Sequence, residues 1–159
     1  MTGSRGPLWT GALAGYAASR TMDAVTGLVR RLQSEASRAR EEELAPGGTL
    51  VQLGAQLGRA AGRDLDDVAA GRIGLAAHRT FGVGYGVLAA ALVGRGLPPM
   101  LAGPAVGAAA FLVVDEGTSL PLLTSYPLVS HARGVVGHAT VGVVVGLLLV
   151  LTEGDRTRP

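Results

Sequence analysis

The residues of this chain that could carry chemistry are a few ionisable side chains set inside long apolar stretches. They are two histidines, three carboxylates and two arginines: His78, His138, Asp23, Asp115, Glu116, Arg20 and Arg79. Imidazoles and carboxylates relay protons or bind divalent metals, so this set could do either. The sequence has no His-x-x-His or Glu-x-x-His pair, and a metal site formed by His78, Glu116 and His138 would therefore depend on how the helices pack.

The sequence offers few alternatives to that chemistry. It has no cysteine among 159 residues, which excludes disulfides, thiol catalysis, iron–sulfur clusters and cysteine-based zinc sites. It also has no phosphate-binding loop and no nucleophile elbow. Ser130 beside His131 is interpreted as part of a turn and not as a nucleophile pair. Because the net charge is only +2, we expect no nucleic-acid partner.

Long apolar stretches must position these residues. The chain is 48% hydrophobic and 16% charged, whereas an ordinary soluble domain carries about 25% charged residues. Four stretches approach the roughly 20 residues with which a helix crosses a bilayer, namely residues 8–29, 73–94, 99–122 and 134–152. Because lipid offers the backbone no hydrogen-bond partners, we predict an all-α fold, a bundle of four transmembrane helices forming one domain.

Two short connections and one polar segment join the predicted spans. Residues 94–99 predict a tight hairpin, because proline ends one helix and suits the first turn of the next. Residues 124–133 form the second connection. The segment from Arg30 to Arg72 carries seven basic and seven acidic residues and predicts amphipathic helices interrupted at Pro46–Gly47–Gly48. Its second helix is expected to lie either on the membrane surface or across the end of the bundle.

Glycines four residues apart occur in every predicted span. The pairs are Gly11 and Gly15, Gly82 and Gly86, Gly103 and Gly107, and Gly142 and Gly146. This spacing lets helix backbones approach closely where no hydrophobic effect drives association, so we expect these glycines at helix contacts. Helix packing also accounts for Val83–Gly84–Tyr85–Gly86. This run matches the centre of a potassium-channel filter but lacks its threonine and its re-entrant loop setting.

The ionisable residues fall at similar depths on one side of the predicted bundle. Asp23, Asp115 and Glu116 come shortly before their spans end, and His78 and His138 come shortly after theirs begin. At about 1.5 Å rise per residue, all lie roughly 6–10 Å inside the same membrane face, and the two arginines lie nearby. Charges inside a membrane face the bundle interior and pair. The set therefore predicts either a salt-bridged layer that fixes helix register or a working site open to one face.

Spaced residues of the last three spans resemble a known family. The pattern is His78-x-x-Phe81-Gly82-x-x-Tyr85-Gly86, then Asp115–Glu116 followed by Pro121 and Pro127, then His138-x-x-x-Gly142. It resembles the YagU-like bacterial inner-membrane proteins over about residues 75–146. The resemblance implies a membrane bundle with a layer of histidines and acids, carries a suggested link to acid tolerance, and supplies no particular reaction.

The resemblance also implies an orientation for the two neighbouring acids. Glu116 is expected to face His78 and His138 within the bundle. Neighbouring residues point about 100° apart on a helix, so Asp115 is then expected to reach Arg79 or Arg20. Together these expectations predict that His78, Asp115, Glu116 and His138 converge.

Arginines flank the two predicted membrane faces unequally. One face has Arg30, Arg31, Arg38, Arg40, Arg63, Arg72 and Arg133, and the other has Arg5, Arg95, Arg156 and Arg158. The positive-inside rule counts basic residues near the spans, and it places the polar segment in the cytoplasm with both termini outside. A cleaved signal sequence is the competing interpretation of the N-terminus, but its apolar run is poor in leucine and continues past Arg20.

These observations predict a small multi-pass protein of the bacterial plasma (inner) membrane. Its polar layer would handle protons or ions, or support envelope or acid-stress tolerance, without a cofactor. One alternative is a membrane enzyme that uses a divalent metal held by the histidines and acids. Another is a structural subunit of a membrane complex. The expected partner is the lipid bilayer, with a homo-oligomer or a membrane-complex partner as further candidates.

Overall fold

The protein is all-helical. A computed structural model describes residues 8–116 and 127–154, with the backbone alone at 115–116 and 153–154. Within these ranges it contains no strand, and its α-helices are α1 (Leu8–Leu32), α2 (Glu35–Leu44), α3 (Thr49–Ala60), α4 (Asp67–Val93), α5 (Pro99–Ala110) and α6 (Leu128–Gly154). A π-helix, Phe111–Glu116, continues α5. The all-α fold class is confirmed. The predicted end of the third span and residues 124–126 of the second connection lie outside the described residues.

The helices differ in how well they suit a membrane. Among the described residues, only α6 is long and apolar enough to cross one, with 25 residues over Leu128–Thr152 and a mean hydropathy of 2.3 in its most apolar 18 residues. The apolar run Pro99–Val114 is shorter. Helices α1 and α4 have 25 and 27 residues, but charged residues, among them Asp23 and Arg79, lower their hydropathy. Length and composition therefore identify one clear span.

Glycine contacts hold α1 against α4. A Cβ atom added at Gly11 would meet the carbonyl oxygen of Gly86, and one added at Gly15 would meet that of Gly82. Because the later residue on α1 meets the earlier residue on α4, the two helices run antiparallel. These contacts confirm the packing role predicted for both glycine pairs. They also show Val83–Gly86 to be part of a continuous helix.

The same kind of contact joins α5 to α6. A Cβ atom added at Gly103 would meet the carbonyl oxygen of Gly142, and one added at Gly107 would lie 2.5 Å from that of His138. The short turn before Pro99 brings α5 back alongside α4. Since α1 also packs against α6, the four long elements close into a ring.

The polar segment folds into two short helices that cover one end of this ring. Ser34 caps α2, because its hydroxyl accepts a hydrogen bond from the Ser37 backbone at 3.2 Å. Pro46–Gly47–Gly48 separates α2 from α3 as predicted. Helix α3 packs against the start of α4, where a Cβ atom at Gly54 would meet the carbonyl oxygen of Ala70. Its predicted placement, on the membrane surface or across the end of the bundle, stays a prediction.

Small residues fill the core, and large apolar residues face outward. The core cluster is Ala18, Ala89, Ala90, Ala102, Val106, Val141, Val145 and Leu149. Exposed apolar side chains occur on every long helix and include Leu13, Leu28, Phe81, Leu88, Leu101, Leu112, Val143 and Leu147. Exposed apolar surface marks sites of contact with a membrane or with another protein, provided that it is contiguous.

Candidate functional site

One carboxylate joins α1 to α4. Asp23 accepts a hydrogen bond from the guanidinium of Arg79, and its Oδ1 lies 3.1 Å from Nε2 of His78. Arg79 also donates to the hydroxyl oxygen of Ser19 at 3.1 Å. That hydroxyl donates in turn to the carbonyl oxygen of Tyr16 at 2.8 Å. We call Ser19, Asp23, His78 and Arg79 the Asp23 site.

Glycine packing positions the Asp23 site. A Cβ atom at Gly82, one turn beyond His78, would lie 2.7 Å from Cβ of Ser19. Because the two backbones nearly touch there, the short Asp23 side chain reaches across to α4. The side chains of His78 and Arg79 are 22% and 16% exposed, whereas that of Asp23 is 41% exposed. The Asp23 carboxylate is therefore the most exposed of the three ionisable groups in this site.

The Asp23 site combines a fixed charge pair with a titratable ring. Asp23 and Arg79 neutralise each other, and arginine stays protonated in proteins. His78 contributes an imidazole, whose ring nitrogens can both accept and donate protons. At 3.1 Å a proton can pass between the imidazole and the carboxylate.

His138 lies in different surroundings on α6. It is 6% exposed, and its Nδ1 lies 3.1 Å from the carbonyl oxygen of Gly134. A carbonyl only accepts hydrogen bonds, so Nδ1 carries a proton. The ring of Phe111 stands 5.9 Å away at a tilt of 57°. This histidine is thus held by its own helix and by an aromatic ring of the π-helix.

The remaining predicted residues are only partly described. Asp115 and Glu116 lie in the π-helix, where the backbone alone is described. Their expected contacts with the histidines and arginines therefore stay predictions. Arg20 is exposed on α1. The side chains that the structure describes contain no group of three histidines or acids suited to a metal ion. Glu116 of the predicted metal set is not among these side chains.

A second polar cluster, not predicted from the sequence, joins α2 to the start of α6. Glu41 is 7% exposed and accepts hydrogen bonds from Ser130 and, at 2.8 Å, from Gln33. Arg133 Nη1 lies 3.0 Å from Glu41 Oε2 and 2.6 Å from Gln33 Oε1. We call these four residues the α2 clamp. Glu41 and Ser130 are 89 residues apart, so no local pattern could have paired them.

The α2 clamp corrects one prediction. Ser130 and His131 were interpreted as a turn, but α6 begins at Leu128 and includes both. Pro127 precedes the helix, and its carbonyl oxygen accepts from the Ser130 backbone at 2.8 Å. The first turn of α6 therefore projects Ser130 and Arg133 toward α2.

The clamp also sets the ionisation of Glu41. Burial alone would raise the pKa of Glu41. Hydrogen bonds from Ser130, Gln33 and Arg133, with the charge of Arg133, outweigh that effect and leave the pKa below its ordinary value. Glu41 is therefore ionised at neutral pH and holds α2 against α6 as a charged acceptor.

Comparison with known proteins assigns no role to these contacts. No family model, no curated protein and no solved structure matches the chain. What the protein does must therefore follow from the Asp23 site, the α2 clamp and the apolar exterior.

Proposed function

We propose that this protein is a multi-pass membrane bundle that exchanges protons at the Asp23 site. Its spans are α1, α4, the segment that begins with α5, and α6. The observation that supports the proposal best is the Asp23 carboxylate, which bridges His78 and Arg79 between two helices with apolar exteriors. Ionisable groups inside a membrane are costly and usually mark a proton or ion pathway.

The distribution of polarity supports proton entry from one membrane face. The Asp23 site and the α2 clamp both lie toward the end of the ring where α1 ends and where α4 and α6 begin. Toward the other end, the ring is filled by small apolar side chains such as Ala90, Ala102 and Val145. A proton would therefore reach the site from the end that carries α2 and α3, and to cross the membrane it would leave past these small side chains toward the other end.

The chemistry requires only these side chains. His78 takes a proton, and the neighbouring carboxylate of Asp23 stabilises the resulting imidazolium. Arg79 compensates the carboxylate while His78 is neutral, so the site holds no net charge in one state and one positive charge in the other. Ser19 keeps the guanidinium on the Asp23 side of α4.

Proton flux into liposomes tests the proposal. The full chain is reconstituted with a trapped pH dye, and a potassium diffusion potential drives proton entry. We expect a protein-dependent flux that falls by on the order of 100-fold in Asp23→Asn, because a positioned proton-transfer group contributes about that much. Asp64→Asn is the matched control, since Asp64 is an exposed acid in the turn between α3 and α4.

The outcome separates proton exchange from a structural role. If the intact protein gives no more flux than empty liposomes, the proposal is wrong. If Asp23→Asn folds, inserts and keeps the full flux, the Asp23 site serves helix packing alone. A bacterial inner-membrane location, a role in envelope or acid-stress tolerance and membership of the YagU-like family belong to the same proposal. The shared pattern of histidines, glycines and acids supports them.

A further inference from the structure

Helices α4 and α6 carry the same residues at the same spacing. Residues 74–89 match residues 134–149, 60 positions further along, at seven of sixteen positions. The shared residues are Gly74, His78, Thr80, Gly82, Val83, Gly86 and Leu88, with Gly134, His138, Thr140, Gly142, Val143, Gly146 and Leu148 as counterparts. The two buried-face histidines therefore hold corresponding positions.

The helices that pack against α4 and α6 also correspond. Residues of α1 recur 92 positions later, among them Gly11, Gly15 and Asp23, which match Gly103, Gly107 and Asp115. Residues 10–18 and 102–110 show the same order of buried, half-buried and exposed positions, without exception. The α1–α4 pair and the α5–α6 pair are therefore two copies of one helix pair.

The two copies are arranged alike in space. Helix α1 packs antiparallel on α4, and α5 packs antiparallel on α6. Helix α1 also contacts α6, and α5 contacts α4. Exchanging the copies reproduces the same ring, as in membrane proteins whose parallel repeats are related by an axis along the membrane normal. The contacts with α2 and α3 also correspond. Helix α3 packs on α4 at Ala70, and α2 binds α6 at Ser130, which is the counterpart of Ala70 in the repeat.

The copies differ in register and in the neighbours of the histidine. Gly15 lies against Gly82. Gly107, the counterpart of Gly15, lies against the carbonyl oxygen of His138. His138 is one helical turn before Gly142, which is the counterpart of Gly82. This shift brings Phe111 beside the His138 ring. The π-helix begins at the same residue, where the first copy has ordinary α-helix. Such π-helical turns occur frequently at functional sites.

We propose that His138 is the proton-accepting residue of a second site, so that each helix pair of the bundle holds one site. The chemistry of this second site rests on the proposed function. Asp115 holds the position of Asp23 in the repeated sequence. Since the two copies are related by an axis along the helices, both sites open toward the same membrane face. They act in parallel and not as successive steps.

Several ionisable residues lie on the elements packed around His138. At neighbouring depth they are Arg20 and Asp23 of α1, His78 and Arg79 of α4, and Asp115 and Glu116 of the π-helix. Of these, Asp23, His78 and Arg79 are engaged with one another in the first site.

Counting protons on the full chain tests the second site. His131 lies outside the repeat, because its counterpart is Gly71, so His131→Gln leaves a parent with the two repeated histidines alone. The parent is titrated in unbuffered detergent between about pH 8 and pH 5, which brackets the ordinary imidazole pKa of about 6.5. We expect His78→Gln and His138→Gln each to take up about one proton fewer than the parent, and the double variant about two fewer.

The outcomes distinguish this inference from the proposed function. If His138→Gln folds and takes up as many protons as the parent, the second site does not exist, whatever flux the Asp23 site supports. If both histidines titrate but the intact protein gives no flux, the repeated sites stand and the proposed function is wrong. Should His138→Gln not fold, nitrogen NMR of the three histidines in the unmodified chain decides. A His138 signal that does not titrate in that range contradicts the proposal.

Discussion

At the scale of residues, Asp23 and Arg79 make a charged histidine tolerable inside the bundle. If α1 and α4 cross the membrane as proposed, a lone carboxylate at this depth would cost up to a few kcal/mol, and the guanidinium on the facing helix would remove much of that cost. Removing either partner would leave the other charge uncompensated, which costs more than the pair itself contributes.

Glu41 of the α2 clamp should make stability depend on pH. A folded-state pKa below the ordinary value of 4.5 means that its contribution is fully present above that pH. The contribution is lost as the pH falls through the lower folded-state pKa. We expect Glu41→Gln to lower the free energy of unfolding by about 1–3 kcal/mol at neutral pH, because Arg133 then loses its charged acceptor. Thermal unfolding in detergent measures the difference.

The same measurement in acid checks the sign. The difference between wild type and Glu41→Gln should shrink as the pH drops below 4.5, because wild-type Glu41 becomes neutral as well. Glu43→Gln is the control, since Glu43 is exposed and pairs only with its helix neighbour Arg40. A difference that stays constant down to strong acid would contradict the charged clamp.

At the scale of elements, two glycines of α4 should respond in opposite ways to one added methyl group. A Cβ atom at Gly86 would meet the carbonyl oxygen of Gly11 and the backbone nitrogen of Gly15, which cannot move aside as a side chain can. We expect Gly86→Ala to destabilise the folded protein by about 1–3 kcal/mol through overpacking. Thermal unfolding or cross-linking between α1 and α4 would detect the loss.

Gly84 provides the matched control on the same helix. Nothing lies within 4 Å of a Cβ atom added there, so only helix propensity changes. Gly84→Ala is expected to be neutral or to stabilise by up to about 1 kcal/mol. Equal effects at the two positions would mean that α1 and α4 do not pack through these glycines.

The sequence predicted the glycine contacts and the depths of the ionisable residues, because each of these depends on the residue spacing within a single helix. The glycine pairs had to lie at close contacts, and depth placed Asp23, His78 and Arg79 at one level. Their pairing depends on which helices are neighbours: the structure shows Arg79 on Asp23, and the predicted contact of Asp115 with Arg79 or Arg20 stays a prediction. Prediction missed the α2 clamp because it joins distant residues, and it missed the π-helix because no helix-breaking residue marks it.

At the scale of the whole molecule, a ring of four close-packed elements leaves little room for polarity except at one end. The interior is made of alanine, valine and glycine, which let the backbones approach, and the polar clusters lie where α2 and α3 cover the ring. Close glycine packing continues beside the Asp23 site, where a Cβ atom at Gly82 would meet Ser19. The inferred repeat of the helix pair would arrange such a site twice within one chain.

The orientation of α4 follows from the turns on either side of it. Arg63 lies in the turn before α4 and Arg95 in the turn after it, so the two must be on opposite faces if α4 crosses the membrane. The excess of arginine near the α2 and α3 end predicts that Arg63 then lies in the cytoplasm. The chain has no cysteine, so Arg63→Cys and Arg95→Cys each introduce a single thiol.

Labelling of these thiols in intact bacterial cells tests both the crossing and its direction. A membrane-impermeant maleimide should label Arg95→Cys before permeabilisation and Arg63→Cys only after it. Both turns are exposed, so a buried thiol does not explain protection. The reversed pattern would keep the crossing and invert the orientation, so that the Asp23 site would open to the outside. Labelling of both thiols in intact cells would mean that α4 does not cross, and the four-span bundle would be wrong.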